Sequence, residues 1–149
     1  MQDVVFRRAT AQDVTAIVAM LADDELGSAR ESPGDPAYAA AFAAIDRDPN
    51  QLLAVAVVGG MAVGTLQLTF IPGLSLSGAW RGQIEAVRIV ADRRGTGLGG
   101  SLVAWAVDQC RARGCRMVQL TTNTHRVDAH RFYQALGFSP SHTGFKLML

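Results

Sequence analysis

Residues 84–101 read IEAVRIVADRRGTGLGGS, and the predicted fold follows from this stretch. Its first half alternates apolar residues up to Val90 and is typical of a strand, whereas apolar residues at helical spacing from Leu98 to Arg113 predict a helix. Between the two, Arg94 to Gly99 contains three glycines. Glycine adopts positive φ and lets another molecule approach the backbone, and the free N–H groups at a helix start favour an anion. The stretch therefore predicts a strand, an anion-binding turn and a helix in succession.

Strands and helices alternate on both sides of this stretch. The predicted strands are Val4–Phe6, Leu52–Val58, Met61–Phe70, Trp80–Val90, Met117–Thr121 and Phe145–Leu149. The predicted helices begin after a Thr10 N-cap and at Asp35-Pro36, and cover Leu98–Arg113 and Asp128–Leu136. Gly59-Gly60 predicts a tight hairpin between the second and third strands. This order predicts an α/β fold with a mixed sheet, antiparallel first and partly parallel later.

Length and composition indicate one ordinary domain over residues 1–149. The chain has 49% hydrophobic and 18% charged residues, and its 14 Lys+Arg against 13 Asp+Glu give a net charge of +1. Because so small a charge attracts neither nucleic acid nor an anionic membrane, we expect neither as a partner, and any anion site must be local. No signal segment and no stretch near the ~18 apolar residues of a membrane span is found, which predicts a cytoplasmic protein.

The cysteines and histidines predict no metal site. Cys110 and Cys115 are the only cysteines, and a zinc site needs four ligands at a recognisable spacing. We therefore expect two small apolar residues in a reducing compartment. His125, His130 and His142 have no metal-ligand spacing and are expected to be surface or capping residues.

The turn from Arg94 to Ser101 predicts a phosphate or pyrophosphate site. Besides its backbone amides, the turn offers the hydroxyl donors of Thr96 and Ser101 and the positive charge of Arg94 to an anion. A Walker A loop is excluded because it needs a lysine, and Lys146 is the only lysine in the chain. The glycines also miss the dinucleotide-binding spacing. A glycine-rich helix start without a ligand stays open as the alternative.

Two motifs resemble one family. Arg94–Gly99 resembles the R-x-x-G-x-G coenzyme A pyrophosphate loop of the GNAT superfamily of acetyl-CoA-dependent N-acetyltransferases. Ala129–Phe138, which reads AHRFYQALGF, resembles that family's closing A-x-x-F-Y-x-x-x-G-F signature. The run from Leu120 to His142 is especially similar to aminoalkylphosphonate N-acetyltransferases. The chain departs from the family at Val90-Ala91-Asp92, where V-x-P is usual.

The resemblance implies a GNAT-like fold: a mostly antiparallel, twisted sheet of six to seven strands, splayed in the middle, with four flanking helices. It implies transfer of an acetyl group from acetyl-CoA, the cosubstrate, to a primary amine of a small molecule by direct attack through a tetrahedral intermediate. A protein or peptide N-acetyltransferase and a non-catalytic acyl-CoA-binding module stay open as alternatives.

The resemblance also implies a set of site residues. Glu85 is the expected base, acting through a water, with a solvated strand carboxylate as the alternative; Tyr133 is the expected general acid for the leaving thiolate, with a half-buried aromatic as the alternative. Asn123 is expected to contact the pantetheine or to order its loop. The coenzyme-binding residues implied are Val87, Arg88 and Ile89 through their main chain, and Arg94, Gly95, Thr96, Gly97, Leu98, Gly99, Gly100, Ser101 and Asn123.

Acceptor specificity is expected from three loops, Asp23–Tyr38, Pro72–Arg81 and Ser139–Gly144. They carry charges of both signs, which fits a small amphoteric amine and equally fits ordinary loop surface. The apolar end Leu147-Met148-Leu149 indicates either a homodimer contact or a terminal core strand, and the sequence leaves both open.

Overall fold

A five-stranded sheet in the order β1-β2-β3-β4-β5 is the framework of the computed structural model, which describes residues 2–149. The strands are β1 (Val4–Arg8), β2 (Gln51–Val58), β3 (Met61–Ile71), β4 (Arg81–Ile89) and β5 (Met117–Gln119). The first four pair antiparallel, and β5 runs parallel to β4. The predicted mixed sheet is confirmed. The predicted count of six to seven strands is wrong for residues 2–149: Phe145–Leu149 pairs with no strand there, and its apolar side chains are exposed.

Residues 2–149 form six helices. They are α1 (Val14–Ala22), α2 (Gly27–Arg30), α3 (Ala37–Arg47), α4 (Ser75–Gly78), α5 (Leu98–Ala112) and α6 (Val127–Ala135). The four predicted helices all form, and the two unpredicted ones, α2 and α4, are single turns. Leu76 and Ser77 inside α4 have positive φ, so this segment is a turn more than a helix.

The chain divides into two compact units. One extends to Gln119 and holds the sheet with α1 to α5, and the other, Leu120–Leu149, holds α6. That residues 1–149 work as one domain stays a prediction.

Helices pack on both faces of the sheet. Helix α5 packs on β3 and β4, while α1 packs on the same two strands and α3 packs on β2. Toward α5 the strands present fully buried apolar residues such as Leu68 and Ile84. Gly82 allows this close approach, since a Cβ there would lie 2.2 Å from Cys110 Sγ. On the other face, Ile17 and Met20 pack around Val55.

Both cysteines are free thiols in the sheet-bearing unit. Burial raises the pKa of Cys110 to about 12 and also raises the pKa of Cys115. Both thiols are therefore protonated at neutral pH, which agrees with their interpretation as small apolar residues.

The predicted Thr10 cap is present at the start of the first helical segment. The Thr10 amide donates to Asp13 Oδ2 at 2.7 Å, and a 3₁₀ turn over Ala11–Asp13 precedes α1. Asp13 also accepts from Arg7 Nη1 at 2.7 Å. This pairing with Arg7, opposed by burial, holds the pKa of Asp13 below its ordinary value.

Replacing Asp13 with asparagine should lower the free energy of unfolding by about 1–3 kcal/mol at pH 7, because a hydrogen-bonded charge is lost. A carboxyl whose pKa is lower in the folded state contributes stability above its unfolded pKa of about 4 and loses it as the pH falls through the folded value. Urea unfolding at pH 7 and pH 3 should thus show a difference between the variant and the wild type that shrinks in acid. An equal difference at both pH values would contradict this account of Asp13.

Candidate functional site

The turn between β4 and α5 presents a row of backbone amides. A 3₁₀ turn over Ala91–Arg93 follows β4, and the first bond of α5 runs from the Ser101 amide to the Gly97 carbonyl at 3.1 Å. Within residues 2–149, the amides of residues 95–100 donate to no other protein group. They lie at the positive end of the α5 dipole. This geometry suits a bound phosphate or diphosphate.

Glycine is required at two positions of this turn. Gly95 has φ +75° and Gly97, the N-cap of α5, has φ +88°. A Cβ at either position would meet no atom within 4 Å. The backbone here is therefore open to a ligand, as the glycine pattern predicts.

The polar side chains of the turn bond to the protein itself. Thr96 Oγ1 donates to the Arg93 carbonyl at 2.6 Å, and Ser101 Oγ donates to the Gly97 carbonyl at 3.3 Å. Arg94 Nε donates to the Ile89 carbonyl at 3.0 Å. Leu98 is buried in the core, while Gly99 and Gly100 are partly buried. The side chains brace the turn, and their contact with a coenzyme stays a prediction.

A β-bulge interrupts β4 just before this turn. The register passes from Gln67 opposite Glu85 to Thr65 opposite Arg88, so two residues of β4 oppose Leu66. Ala86, at the bulge, has φ +56°. No sequence signal indicated the bulge, because alanine is not a residue type that favours positive φ.

The ladder between β4 and β5 is short. It covers only Arg81–Gln83 of β4, so the segment Ile84–Ile89 has no paired strand on that side within residues 2–149. This agrees with the predicted splay of the sheet. The main chain of Val87–Ile89 lies on this open edge, where an extended ligand can pair as an added strand.

A polar row crosses the sheet beside Glu85. Gln51, Thr69, Gln83 and Gln119 are directly opposed on four successive strands and are all partly exposed. Thr69 Oγ1 donates to Gln51 Oε1 at 3.0 Å, and Gln119 Nε2 donates to Gln83 Oε1 at 3.0 Å. Sequence reasoning missed this row, although glutamines within apolar strands were a usable signal.

Two charged residues of β4 share the face of this row. Because side chains alternate along a strand, Arg81 and Glu85 lie on the same face as Gln83, one on each side of it. Glu85 is exposed, and its neighbour across the ladder is Gln67. Glu85 thus lies on the polar face, opposite the buried Ile84.

Arg88 and Arg94 reach the end of α1. Arg88 Nε lies 2.8 Å from Asp24 Oδ2, and Arg94 Nη2 donates to the Asp23 carbonyl at 3.1 Å. Consecutive aspartates therefore hold the two arginines that flank the turn after β4.

Tyr133 lies in the second unit, among aromatic rings. It is partly buried on α6, with its ring edge-to-face to Phe132 at 4.9 Å and to Phe138 at 5.8 Å between centroids. Gly137, with φ +95°, follows the end of α6. The half-buried aromatic that was the alternative for Tyr133 is thus observed, and its role as the general acid stays a prediction.

Asn123 orders the loop before α6. Its Oδ1 accepts from the His125 amide at 2.9 Å, and its carbonyl accepts from the Arg126 amide at 3.0 Å. His130 Nε2 lies 3.1 Å from the same carbonyl. The loop-ordering alternative is thus observed, and a contact of Asn123 with pantetheine stays a prediction.

The described residues contain neither a metal-binding cluster nor a membrane-spanning helix. Among residues 2–149, no three His, Cys, Asp or Glu side chains are grouped so that they could hold a metal ion. Over the same residues, no helix combines the length and the apolar character needed to cross a membrane.

Comparison with known proteins gives matches over nearly the whole chain. The Acetyltransferase (GNAT) family model matches residues 17–138. An aminoalkylphosphonate N-acetyltransferase of Salmonella typhimurium is 32% identical over 139 residues, which are 93% of this chain and 87% of that protein.

Two solved structures also match nearly the whole chain. A crystal structure described as a transcriptional regulator from Bacillus halodurans C-125 has a TM-score of 0.95 and 46% identity, and the match covers 99% of this chain and 100% of that one. A putative acetyltransferase from Agrobacterium tumefaciens str. C58 has a TM-score of 0.85 and 28% identity, over 97% and 99% of the two chains.

Proposed function

The chain belongs to the GNAT family of acetyltransferases, and from this membership we propose that it acetylates the primary amine of a small molecule. Membership makes the protein an acetyl-CoA-dependent acyltransferase that acts on amines. The proposal concerns the acceptor class and the residues that bind and react.

The amide row at residues 95–100 carries the proposal. The start of α5 offers six N–H donors. A diphosphate such as that of coenzyme A has several oxygens that can accept from them, so the amide row suits it. Arg94, Thr96 and Ser101 brace the turn. Arg94 is proposed to add a side-chain donor, and Thr96 and Ser101 are proposed to redirect their single hydroxyl donors to the diphosphate when it binds. The open edge of β4 at Val87–Ile89 is proposed to pair with the pantetheine, and Asn123 to contact it.

The reaction needs two proton transfers. An alkyl amine with a pKa near 10 arrives as ammonium and must lose a proton before it attacks. Glu85 is proposed to take that proton through a water, and Tyr133 is proposed to give one to the departing thiolate. An amide from Val87–Ile89 would stabilise the developing oxyanion by about 3 kcal/mol. Alignment of the two substrates would contribute about 7–11 kcal/mol more.

The face of the polar row favours an acceptor that carries an anionic group. Glu85 suits an ammonium, Arg81 suits an oxyanion, and Gln83 between them can donate to either a hydroxyl or an oxyanion. The Salmonella relative is an aminoalkylphosphonate N-acetyltransferase. A small amine with a phosphonate or carboxylate is therefore the first acceptor to test.

We also propose the compartment, the partners and the oligomeric state of the enzyme. The net charge of +1 supports an enzyme without nucleic-acid or membrane partners. The two free cysteines support a reducing, cytoplasmic compartment. Exposed apolar side chains at Leu147, Met148 and Leu149 support a homodimer. No metal is needed, because the proposed acid and base are protein side chains.

A thiol-release assay with a panel of amines tests the proposed function. We expect turnover of acetyl-CoA with aminoalkylphosphonates or amino acids and none with peptides bearing a free N-terminus or lysine. Turnover with peptides alone would establish the protein N-acetyltransferase alternative. Binding of acetyl-CoA without turnover on any amine or peptide would establish the binding module.

Replacing Glu85 with glutamine should lower kcat/KM for the amine by about 10²-fold at pH 7, the usual lower range for a general base. The loss should shrink toward pH 10, because more of the amine is then already unprotonated. The same kinetics on Asp46→Asn, an exposed carboxylate on α3, give the control. If Glu85→Gln has the same kcat/KM as the Asp46→Asn control, or if its loss does not change with pH, Glu85 is not the base.

A further inference from the structure

We propose that Asp24 and Arg88 form a clamp that positions the Val87 peptide for the acetyl donor and couples it to the loop that begins at Asp23. The inference rests on the proposed function of the open β4 edge. In this role both are positioning residues, because they act through the backbone of β4.

The ion pair within the clamp is shielded from water. Arg88 Nε and Asp24 Oδ2 are 2.8 Å apart, with only 13% and 16% of the two side chains exposed. Arg111 and Asp108 on α5 make a pair of the same length whose side chains are 73% and 69% exposed. Exposed pairs contribute little, whereas breaking a shielded pair leaves an uncompensated charge. The two pairs therefore form a matched comparison.

One end of the clamp holds the bulge of β4. Arg88 Nη1 donates to the Val87 carbonyl at 2.8 Å. Val87 directly follows Ala86, whose φ of +56° is unfavourable for a residue with a side chain and persists only where the surroundings hold it. Arg88 thus fixes the orientation of the peptide on the open edge of β4.

The other end holds the start of the acceptor-side loop. Asp24 Oδ1 accepts from the Gly27 amide at 2.5 Å. Gly27 admits no side chain, since a Cβ would lie 1.8 Å from the Leu21 carbonyl oxygen. A continuous path of polar contacts therefore runs from Gly27 through Asp24 and Arg88 to Val87.

Arg94 adds a parallel connection. Its Nη2 lies 3.5 Å from Asp23 Oδ2 and bonds to the Asp23 carbonyl, while its Nε bonds to the carbonyl that ends β4. Arg88 and Arg94, both before the amide row, are thus joined to the end of α1. Since coupling between two sites is reciprocal, a ligand that orders the β4 edge should also order the loop after Asp23.

Kinetics on Asp24→Asn, Arg88→Lys and the double variant test the positioning. Each single variant should lower kcat about 10-fold or more, and the double variant should lose no more than the worse single one, because both break one unit. Asp24→Glu should recover part of the rate, and Asp108→Asn, in the exposed pair, should leave it unchanged. The Kd for acetyl-CoA should stay within about three-fold, because the amide row is intact. Unchanged kcat in both single variants, or additive losses, would overturn the clamp.

Amide hydrogen exchange tests the coupling without turnover. In the wild type, acetyl-CoA should slow exchange of residues 25–36 by about five-fold or more, and in Asp24→Asn this slowing should disappear. Slowing that persists in the variant would overturn the coupling. If the wild type releases no thiol with any acceptor, the proposed function fails, and the exchange result alone then decides on the clamp.

Discussion

Replacing Gly97 with valine is expected to raise the Kd for acetyl-CoA by about 100-fold or more, which corresponds to about 2.7 kcal/mol. The reason is geometric: Gly97 has φ +88° at the N-cap of α5, and the space beside its Cα is open. A branched side chain would strain the turn and fill the approach to the amides that the diphosphate needs. Isothermal titration calorimetry measures the effect.

Gly114 provides a matched control at the other end of the same helix. It has φ +78°, and a Cβ there also meets nothing within 4 Å. Both valine variants should lose about 1–3 kcal/mol of stability from the left-handed backbone, and only Gly97→Val should lose coenzyme affinity. An equal loss of affinity in both, or full affinity in Gly97→Val, would show that the turn is not the diphosphate site.

Replacing Tyr133 with phenylalanine is expected to lower kcat by about 10²-fold or more, the usual effect of losing a general acid. The change removes only the hydroxyl, so the edge-to-face contacts with Phe132 and Phe138 remain. The unfolding free energy should therefore fall by less than about 1 kcal/mol. Steady-state kinetics with saturating acetyl-CoA and amine measure kcat.

Two control measurements distinguish a loss of kcat in the chemical step from a loss of coenzyme binding or of stability. The Kd of the Tyr133→Phe variant for acetyl-CoA and its thermal midpoint should match those of the wild type, since neither depends on a proton given to the thiolate. A kcat equal to that of the wild type would remove Tyr133 as the acid. A parallel loss of coenzyme affinity would indicate a binding role instead.

Elements that depend on residues close together in the sequence were predictable from the sequence pattern. The Gly59-Gly60 hairpin was predictable because both residues adopt positive φ, which few residue types tolerate. The turn after β4 was predictable for the same reason, since its glycines precede a helix of clear apolar spacing. The capping pair Thr10 and Asp13 lies within one turn, so its spacing alone indicated the contact.

Features that depend on distant pairing were not predictable in this way. Phe145–Leu149 has the composition of a strand, but a strand forms only where a partner edge exists. The bulge at Ala86 and the polar row depend on the register of β3 against β4, which periodicity along one strand does not reveal. The Asp24–Arg88 pair joins residues 64 positions apart in the chain. Charge alone could not have distinguished Arg88 from the other arginines.

Calorimetric titration of the wild-type protein with acetyl-CoA, beside acetyl-pantetheine, which lacks the diphosphate, tests the amide row as the coenzyme site. The account predicts micromolar binding of acetyl-CoA and an affinity for acetyl-pantetheine that is weaker by about 100-fold or more, because the donors at residues 95–100 then have no anion to bind. No heat at millimolar acetyl-CoA, or equal affinity for the two donors, would contradict it.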